Sequence, residues 1–82
     1  MTQPLNERIA EHLIEAADLL QAQGADPFRI NAYRRAAETL HRLDRDVGEL
    51  ADRGDMQALV ALPGIGRGIA TAIYEMVETG RW

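Results

Sequence analysis

The chain is short, acidic and free of cysteine, with 82 residues and a formal net charge of −4. Its length suffices for one small domain, and the lack of cysteine excludes a disulfide framework and a thiolate metal site. No stretch is apolar enough to span a membrane and the N-terminus has no targeting pattern, so the sequence predicts a cytoplasmic protein.

The charge is distributed unevenly along the chain. Residues 1–26 carry five acidic side chains against one arginine, and residues 46–82 carry six against three. Residues 27–45 reverse this balance, with five arginines against two acidic side chains. The net charge argues against a strong nucleic-acid binder, but the concentration of arginine in one segment weakens that argument.

A first helix is predicted to begin at Asn6, as N-cap, and to end at Gly24. Its core-facing residues recur at helical spacing and are Ile9, Leu13, Ala16, Ala17 and Leu20. The opposite face is acidic and comprises Glu7, Glu11, Glu15 and Asp18. We interpret this acidic face as a solvated surface that would repel DNA.

A second helix is predicted to begin with Asp26 as N-cap and Pro27 in the first helical position. Its predicted core stripe consists of Tyr33, Ala36, Ala37, Leu40 and Leu43. Arginines point roughly the other way, and we interpret Arg34 and Arg42 as solvated surface charges.

The second half contains two short helices and a longer last one. Asp46 is predicted to cap a helix that ends at Gly54, Asp55 is predicted to cap the next, and Gly80 is expected to end the last. No strand-like alternation is present, so the fold class is all-α, a small bundle of four to five helices. We interpret residues 1–82 as one domain. Because Trp82 is costly to leave exposed, that domain could be the first of a longer protein.

Residues 62–70, Leu-Pro-Gly-Ile-Gly-Arg-Gly-Ile-Ala, form a tight turn between two helical segments. Pro63 has no N–H and pushes Leu62 out of helical geometry, so the first segment should stop there. Gly64 and Gly66 can adopt positive φ, which a turn this short should need. Ile65 between them is too apolar for water and is expected to fix the turn to the core.

The helix after this turn should open near Gly66, with N–H groups that have no partner inside the helix. Glycines at 64, 66 and 68 leave these groups uncovered, so an anion can reach the backbone at the positive end of the helix. The pattern resembles a helix-hairpin-helix motif that binds DNA phosphates. The alternative is a glycine-rich turn between two packed helices that binds nothing.

Two motifs in this order, Asn-Ala-Tyr-Arg-Arg-Ala-Ala at residues 31–37 and the turn at 62–70, resemble the small N-terminal domain of family X DNA polymerases, the polymerase β type. Glu75 and Thr79-Gly80 extend the resemblance, which covers about residues 6–80. It implies an all-α helix-hairpin-helix domain that grips the 5′-phosphate side of a DNA gap. In some members, a lysine of this domain also removes a 5′-deoxyribose phosphate through a Schiff base.

The resemblance also implies site residues. The backbone-binding hairpin falls on Gly64, Ile65, Gly66, Arg67 and Gly68, and the 5′-phosphate pocket falls on Arg29, Tyr33 and Arg35. Backbone carbonyls that hold a monovalent cation, Na⁺ or K⁺, fall on Val60, Leu62 and Ile65. No other cofactor is implied. Phe28 stands where the family has a pocket histidine.

The lyase chemistry of the family is not expected here. Its nucleophilic lysine falls on Ala72, the chain contains no lysine, and arginine stays protonated and cannot form a Schiff base. The sequence therefore predicts no enzymatic activity, and no catalytic residue is assigned. The amine of Met1 is the one primary amine left for such a reaction.

Three functions remain open on the sequence. The first is a sequence-nonspecific module that binds gapped, nicked or single-stranded DNA in repair or replication, beside a downstream domain if the protein is longer. The second is a protein-interaction domain in which the acidic first helix meets a basic partner and the hairpin is scaffold. The third is a lyase acting through Met1. A salt titration of DNA binding best separates the first two.

Overall fold

The computed structural model describes residues 4–52 and 56–80, and this part of the chain forms five helices without a strand. They are α1 (Pro4–Ala22), α2 (Pro27–Arg42), α3 (Val47–Asp52), α4 (Met56–Val60) and α5 (Arg67–Thr79). The all-α prediction, with two short helices, is confirmed. The predictions for Gly54 and Asp55 and the roles considered for Met1 and Trp82 lie outside the described residues.

Helices α1 and α2 pack against each other, and α3, α4 and α5 form the second half of the bundle. The start of α2 follows the prediction, because the Asp26 side chain accepts a hydrogen bond of 2.8 Å from the N–H of Phe28 and Pro27 opens the helix. At the end of α5, Gly80 is left-handed with φ 66°, and its N–H bonds to the Met76 carbonyl. Both local signals are confirmed.

The core is apolar and receives side chains from all five helices and from the turn before α5. Its largest fully buried apolar side chains are Ile9, Leu13, Leu40, Val47, Leu59 and Ile73. In α2, Ala36, Ala37 and Leu40 are buried as predicted, whereas Tyr33 and Leu43 are only partly buried at the core edge. Ile30 is also buried and was missing from the predicted stripe, although it precedes Tyr33 by three residues, which is helical spacing.

Asn6 does not cap its own helix, so that prediction is wrong. Helix α1 already includes Pro4, and Asn6 lies fully buried on its inner face. Its amide nitrogen donates to the Arg45 carbonyl at 2.7 Å, and its side-chain oxygen accepts from the Val47 N–H at 2.8 Å. Asn6 therefore caps the start of α3 from a distant part of the chain. Asp46 accepts from the N–H of Gly48 at 2.7 Å and completes that cap as predicted.

Arg34 and Arg42 are exposed as predicted, but each has an acidic partner. Arg34 bonds Gln21 at 2.6 Å and approaches Asp18 at 3.4 Å, so it joins α2 to α1. Arg42 pairs with Glu38 at 2.8 Å, one helical turn before it. No helix in the described ranges is both long and apolar enough to cross a membrane.

Candidate nucleic-acid interface

The turn before α5 is anchored at its centre. Helix α4 ends at Val60, two residues before the predicted stop at Leu62. The reason is local: the Leu62 N–H bonds back to the Leu59 carbonyl at 3.1 Å in a tighter turn, and the Ile65 N–H bonds to the Leu62 carbonyl at 3.1 Å. Ile65 is only 4% exposed, so the prediction that it fixes the turn to the core is confirmed.

The two glycines that flank Ile65 differ in conformation. Gly64 has φ 75°, where side chains are disfavoured, and an added Cβ would lie 2.7 Å from Cγ and Cδ of Arg35. Gly66 is extended, with φ −86° and ψ 179°, so the predicted need for positive φ at Gly66 is wrong. One left-handed residue is enough to reverse the chain here, and Gly66 instead serves as the N-cap of α5.

The start of α5 is open. Its N-cap Gly66 provides no side-chain hydrogen bond, whereas the start of α2 is capped by Asp26 and that of α3 by Asp46. A Cβ added to Gly66 or Gly68 would meet no atom within 4 Å. The first N–H groups of α5 therefore have no side-chain cap, and the space beside Gly66 and Gly68 is open at the positive end of this 13-residue helix. Uncapped N–H donors of this kind can bind an anion.

The glycine cleft, as we name it, lies between this helix start and α2. It is lined by Arg29, Ala32, Tyr33, Gly66, Gly68 and Ile69 and has a volume of about 410 Å³. Arg29 is exposed and forms no ion pair with any residue that the structure describes. The structure thus brings Arg29 and Tyr33 of the predicted phosphate pocket to Gly66 and Gly68 of the hairpin.

Arg35 does not join them. It lines a separate recess, the proline cleft, which has a volume of about 190 Å³ and is formed by Arg35, Glu38, Thr39, Arg42, Pro63 and Gly64. In this recess the Thr39 hydroxyl donates a hydrogen bond of 2.5 Å to the Pro63 carbonyl. The predicted pocket of Arg29, Tyr33 and Arg35 is therefore divided, since Arg35 lies six residues beyond Arg29 on α2 and projects to another part of the hairpin. No signal in the sequence indicated the Thr39 bond.

Two exposed side chains lie outside both clefts. Arg67, the first residue of α5, lines a recess with Met56, Gln57, Val60 and Ala61. Phe28, at the position where the resemblance implies a pocket histidine, is 86% exposed at the start of α2. Neither lines the glycine cleft.

The residues predicted to hold a monovalent cation lie at the end of α4 and in the turn. Carbonyl oxygens are suitable ligands for a hard cation, and the C-terminal end of a helix favours positive charge. The Leu62 carbonyl already accepts the Ile65 N–H but keeps a second lone pair. The donor chemistry of Val60, Leu62 and Ile65 therefore fits the ion. Within residues 4–52 and 56–80, no cluster of His, Cys, Asp and Glu could hold another metal.

Ala72 is partly buried and lies one helical turn after Gly68, which lines the glycine cleft. Because helical side chains lean towards the N-terminus of their helix, we expect a longer side chain at this position to extend over Gly68. With alanine, position 72 brings no nucleophile to the cleft.

Comparisons with known proteins show the family of the chain. A model of the helix-hairpin-helix domain family matches residues 4–82. The DNA polymerase/3'-5' exonuclease PolX of Bacillus subtilis (strain 168) is 32% identical over 62 residues, which is 76% of this chain and 10% of that protein. The match thus spans about a tenth of the relative's length, and no solved structure matches the chain significantly. The chain belongs to the helix-hairpin-helix domains of the type carried by family X DNA polymerases.

Proposed function

We propose that this domain binds the phosphate backbone of DNA through the glycine cleft and does not read base sequence. One observation carries the proposal. Arg29, Tyr33 and the uncapped start of α5 at Gly66 and Gly68 border the same cleft, and Arg29 has no acidic partner in the described part of the chain. The guanidinium of Arg29 and the uncapped backbone N–H groups can bind a phosphate, and the Tyr33 ring can contact the adjoining sugar.

Each group has a distinct task in this site. The N–H groups at the start of α5 donate to phosphate oxygens, and the helix dipole favours the negative charge. Arg29 donates from its guanidinium plane, with two parallel bonds where the geometry allows. The Tyr33 ring forms a wall for the adjoining sugar. Because phosphate and sugar are alike at every step of DNA, such contacts position the strand without specifying its sequence.

The preferred ligand in this proposal is DNA with a 5′-phosphate at a gap, a nick or the end of a single strand. A terminal phosphate carries more charge than an internal one and enters an open cleft end first. The relative PolX is named as a DNA polymerase and exonuclease, and the match covers a small part of it. We therefore place the domain beside a downstream domain in repair or replication, as a module that binds DNA and performs no catalysis itself.

A Na⁺ or K⁺ ion held by the carbonyls of Val60, Leu62 and Ile65 belongs to the same proposal. When bound, it would add positive charge beside the hairpin and attract a further phosphate. The residues themselves supply only oxygen ligands and a turn held in place by the buried side chain of Ile65. DNA affinity should then be higher in K⁺ or Na⁺ than in a bulky organic cation at equal ionic strength.

The test is a charge placed in the glycine cleft. Gly68→Glu adds a carboxylate at the start of α5, where the space is open, so the domain should fold while DNA binding is abolished. Gln23→Glu adds the same charge at an exposed position after α1 and serves as the control. Affinity is measured by fluorescence anisotropy on gapped DNA with and without the 5′-phosphate. Equal DNA affinity of Gly68→Glu and Gln23→Glu would refute the site.

A protein-interaction domain is the second candidate, and the outer face of α1 supports it. Glu7, Glu11, Glu15 and Asp18 are all exposed there, and Leu19 is 63% exposed. A basic partner with an apolar contact would match this surface. If the domain binds no DNA at low salt, this candidate replaces the first.

A further inference from the structure

The proline cleft has no role in the function proposed above, although it is the second basic recess beside the hairpin. It adjoins a groove of about 230 Å³ that shares Thr39, Arg42 and Pro63 with it and adds the apolar side chains of Leu43 and Leu62. Both recesses are smaller than the ~300 Å³ at which pockets for drug-sized ligands begin. Their size suits a phosphate and its sugar better than a whole nucleotide.

The aliphatic stem of Arg35 packs against the turn at Gly64, while its guanidinium stays exposed. Its Cγ and Cδ lie so close to Gly64 that any Cβ there would be 2.7 Å away, so the backbone of the turn supports the arginine stem. The guanidinium beyond the stem is exposed and has no ion pair within the described ranges. A stem that is already ordered loses less entropy when its head group binds a phosphate.

Arg42 provides a second cation on the same wall. Its pairing with Glu38 at 2.8 Å uses part of its five donors and leaves others for an anion. With Arg35, Arg42 and Glu38 counted together, the recess carries one net positive charge. The apolar groove next to it, formed by Leu43, Leu62 and Pro63, offers a surface for the C–H groups of a deoxyribose.

The two clefts lie in sequence along α2. The glycine cleft uses Arg29 to Tyr33 and the proline cleft uses Arg35 to Arg42, so their centres are about seven residues, or roughly 10 Å of helix axis, apart. Phosphates of one DNA strand follow each other every ~3.4 Å along the duplex axis. Because a strand also winds around that axis, consecutive phosphates lie farther apart than this rise, and the separation of the clefts corresponds to about two nucleotide steps.

We propose that the proline cleft is a second phosphate site, and that one DNA strand crosses the hairpin with a phosphate in each cleft. The site extends the proposed function and rests on it, because the first phosphate is the one bound in the glycine cleft. It assigns Arg35, with Arg42, to an internal phosphate of the strand rather than to the terminal one.

The experiment measures affinity against strand length. Oligothymidylates with a 5′-phosphate, from about two to about eight nucleotides long, are titrated into the full chain at low salt. Affinity should rise in a step at roughly three nucleotides, when one strand can fill both clefts. Arg35→Met keeps the apolar stem beside Gly64 but removes the charge. This variant should lose the step, with affinity for longer strands lowered about fivefold and that for the shortest unchanged.

Two further variants make the result unambiguous. Arg34→Met makes the same charge change on α2 in an arginine already bound to Asp18 and Gln21, and it should keep the step. Arg29→Met should weaken binding at every length. A retained step in Arg35→Met, or equal losses in Arg34→Met and Arg35→Met at all lengths, would overturn the second site alone. Unchanged binding in Arg29→Met would instead refute the glycine cleft and thus the proposed function.

Discussion

Gly64 lies directly against the side chain of Arg35, and this contact joins the hairpin to α2. The glycine has φ 75°, and the nearest atoms to an added Cβ would be Cγ and Cδ of Arg35 at 2.7 Å. The neighbouring hydrogen bond from Thr39 to the Pro63 carbonyl joins the same two elements. The position of the turn relative to α2, and therefore the shape of both clefts, depends on a glycine at 64.

Gly64→Ala should destabilise the domain by about 1–3 kcal/mol, because a left-handed alanine is strained and its Cβ displaces the Arg35 stem. Gly66→Ala is the matched control. Gly66 is extended and an added Cβ meets no atom within 4 Å, so this change should alter stability by less than about 1 kcal/mol. Urea unfolding followed by circular dichroism measures both. Equal unfolding midpoints for the two variants would show that the turn tolerates a side chain at 64.

Asn6→Ala should cost more than a typical surface change, about 2–4 kcal/mol. The substitution leaves the buried Val47 N–H and the part-buried Arg45 carbonyl without their partner. Asn31→Ala, at an exposed asparagine of α2, should leave stability unchanged or raise it slightly, since alanine favours helix. Thermal and urea unfolding of the two variants gives the comparison. A loss in Asn6→Ala no larger than that in Asn31→Ala would contradict the capping role of Asn6.

The features that the sequence predicted correctly depend on neighbours in the chain. The Asp26 cap, the Gly80 stop and the burial of Ile65 each follow from two or three adjacent residues. The features it missed join distant residues: Asn6 and Val47 are 41 positions apart, and Thr39 and Pro63 are 24 apart. Asn6 could have capped its own helix, but tertiary packing places it against the start of α3, which it caps instead.

The candidate site shows the same division. Motif resemblance gave the residues of the hairpin and of the phosphate pocket, and the structure does place Arg29 and Tyr33 beside Gly66 and Gly68. The resemblance could not show that Arg35 faces a different recess, because that depends on the rotation of α2 relative to the turn. Nor could the sequence distinguish Arg34, which is paired, from Arg29, which has no acidic partner in the described ranges.

DNA binding by the wild-type domain should be weak and should depend moderately on salt. Three arginines, Arg29, Arg35 and Arg42, line the two clefts and the net charge is −4, so only about 2–4 phosphates should be neutralised. The logarithm of the binding constant should then fall against the logarithm of salt with a slope of roughly −2 to −4. Anisotropy titrations over a range of KCl concentrations measure the slope. A measurable complex with a slope near zero would mean that contacts other than phosphate dominate.

Arg29→Met should make that slope less negative by about one unit, since it removes one phosphate contact. It should also weaken binding to all sequences alike. Arg34→Met carries the same change in net charge and should keep the wild-type slope, because its guanidinium is already engaged by Gln21 and Asp18. The same salt titration is carried out on both variants with two unrelated DNA sequences. A slope that becomes less negative by the same amount in Arg29→Met and Arg34→Met would indicate a general effect of charge rather than a contact at the glycine cleft.

Ala72→Lys tests whether the glycine cleft holds the 5′ end of DNA. A lysine amine can attack the aldehyde carbon of an abasic sugar and lose water to form an imine, which borohydride reduces to a stable adduct. Position 72 follows Gly68 by one helical turn, so its amine should reach a sugar whose phosphate lies at Arg29. We expect a trapped adduct with Ala72→Lys on DNA that carries a 5′-deoxyribose phosphate, and none with the wild-type chain.

Thr71→Lys is the control for this last prediction, because it adds the same amine one residue earlier, at an exposed position about 100° around the helix. It should give far less adduct than Ala72→Lys, since its amine points away from the cleft. Equal trapping by both lysines would mean that reaction requires only proximity to DNA. No adduct in Ala72→Lys, with DNA binding intact, would place the 5′-phosphate elsewhere. An adduct in the wild-type chain that disappears when Met1 is acetylated would show instead that the N-terminal amine reaches the sugar.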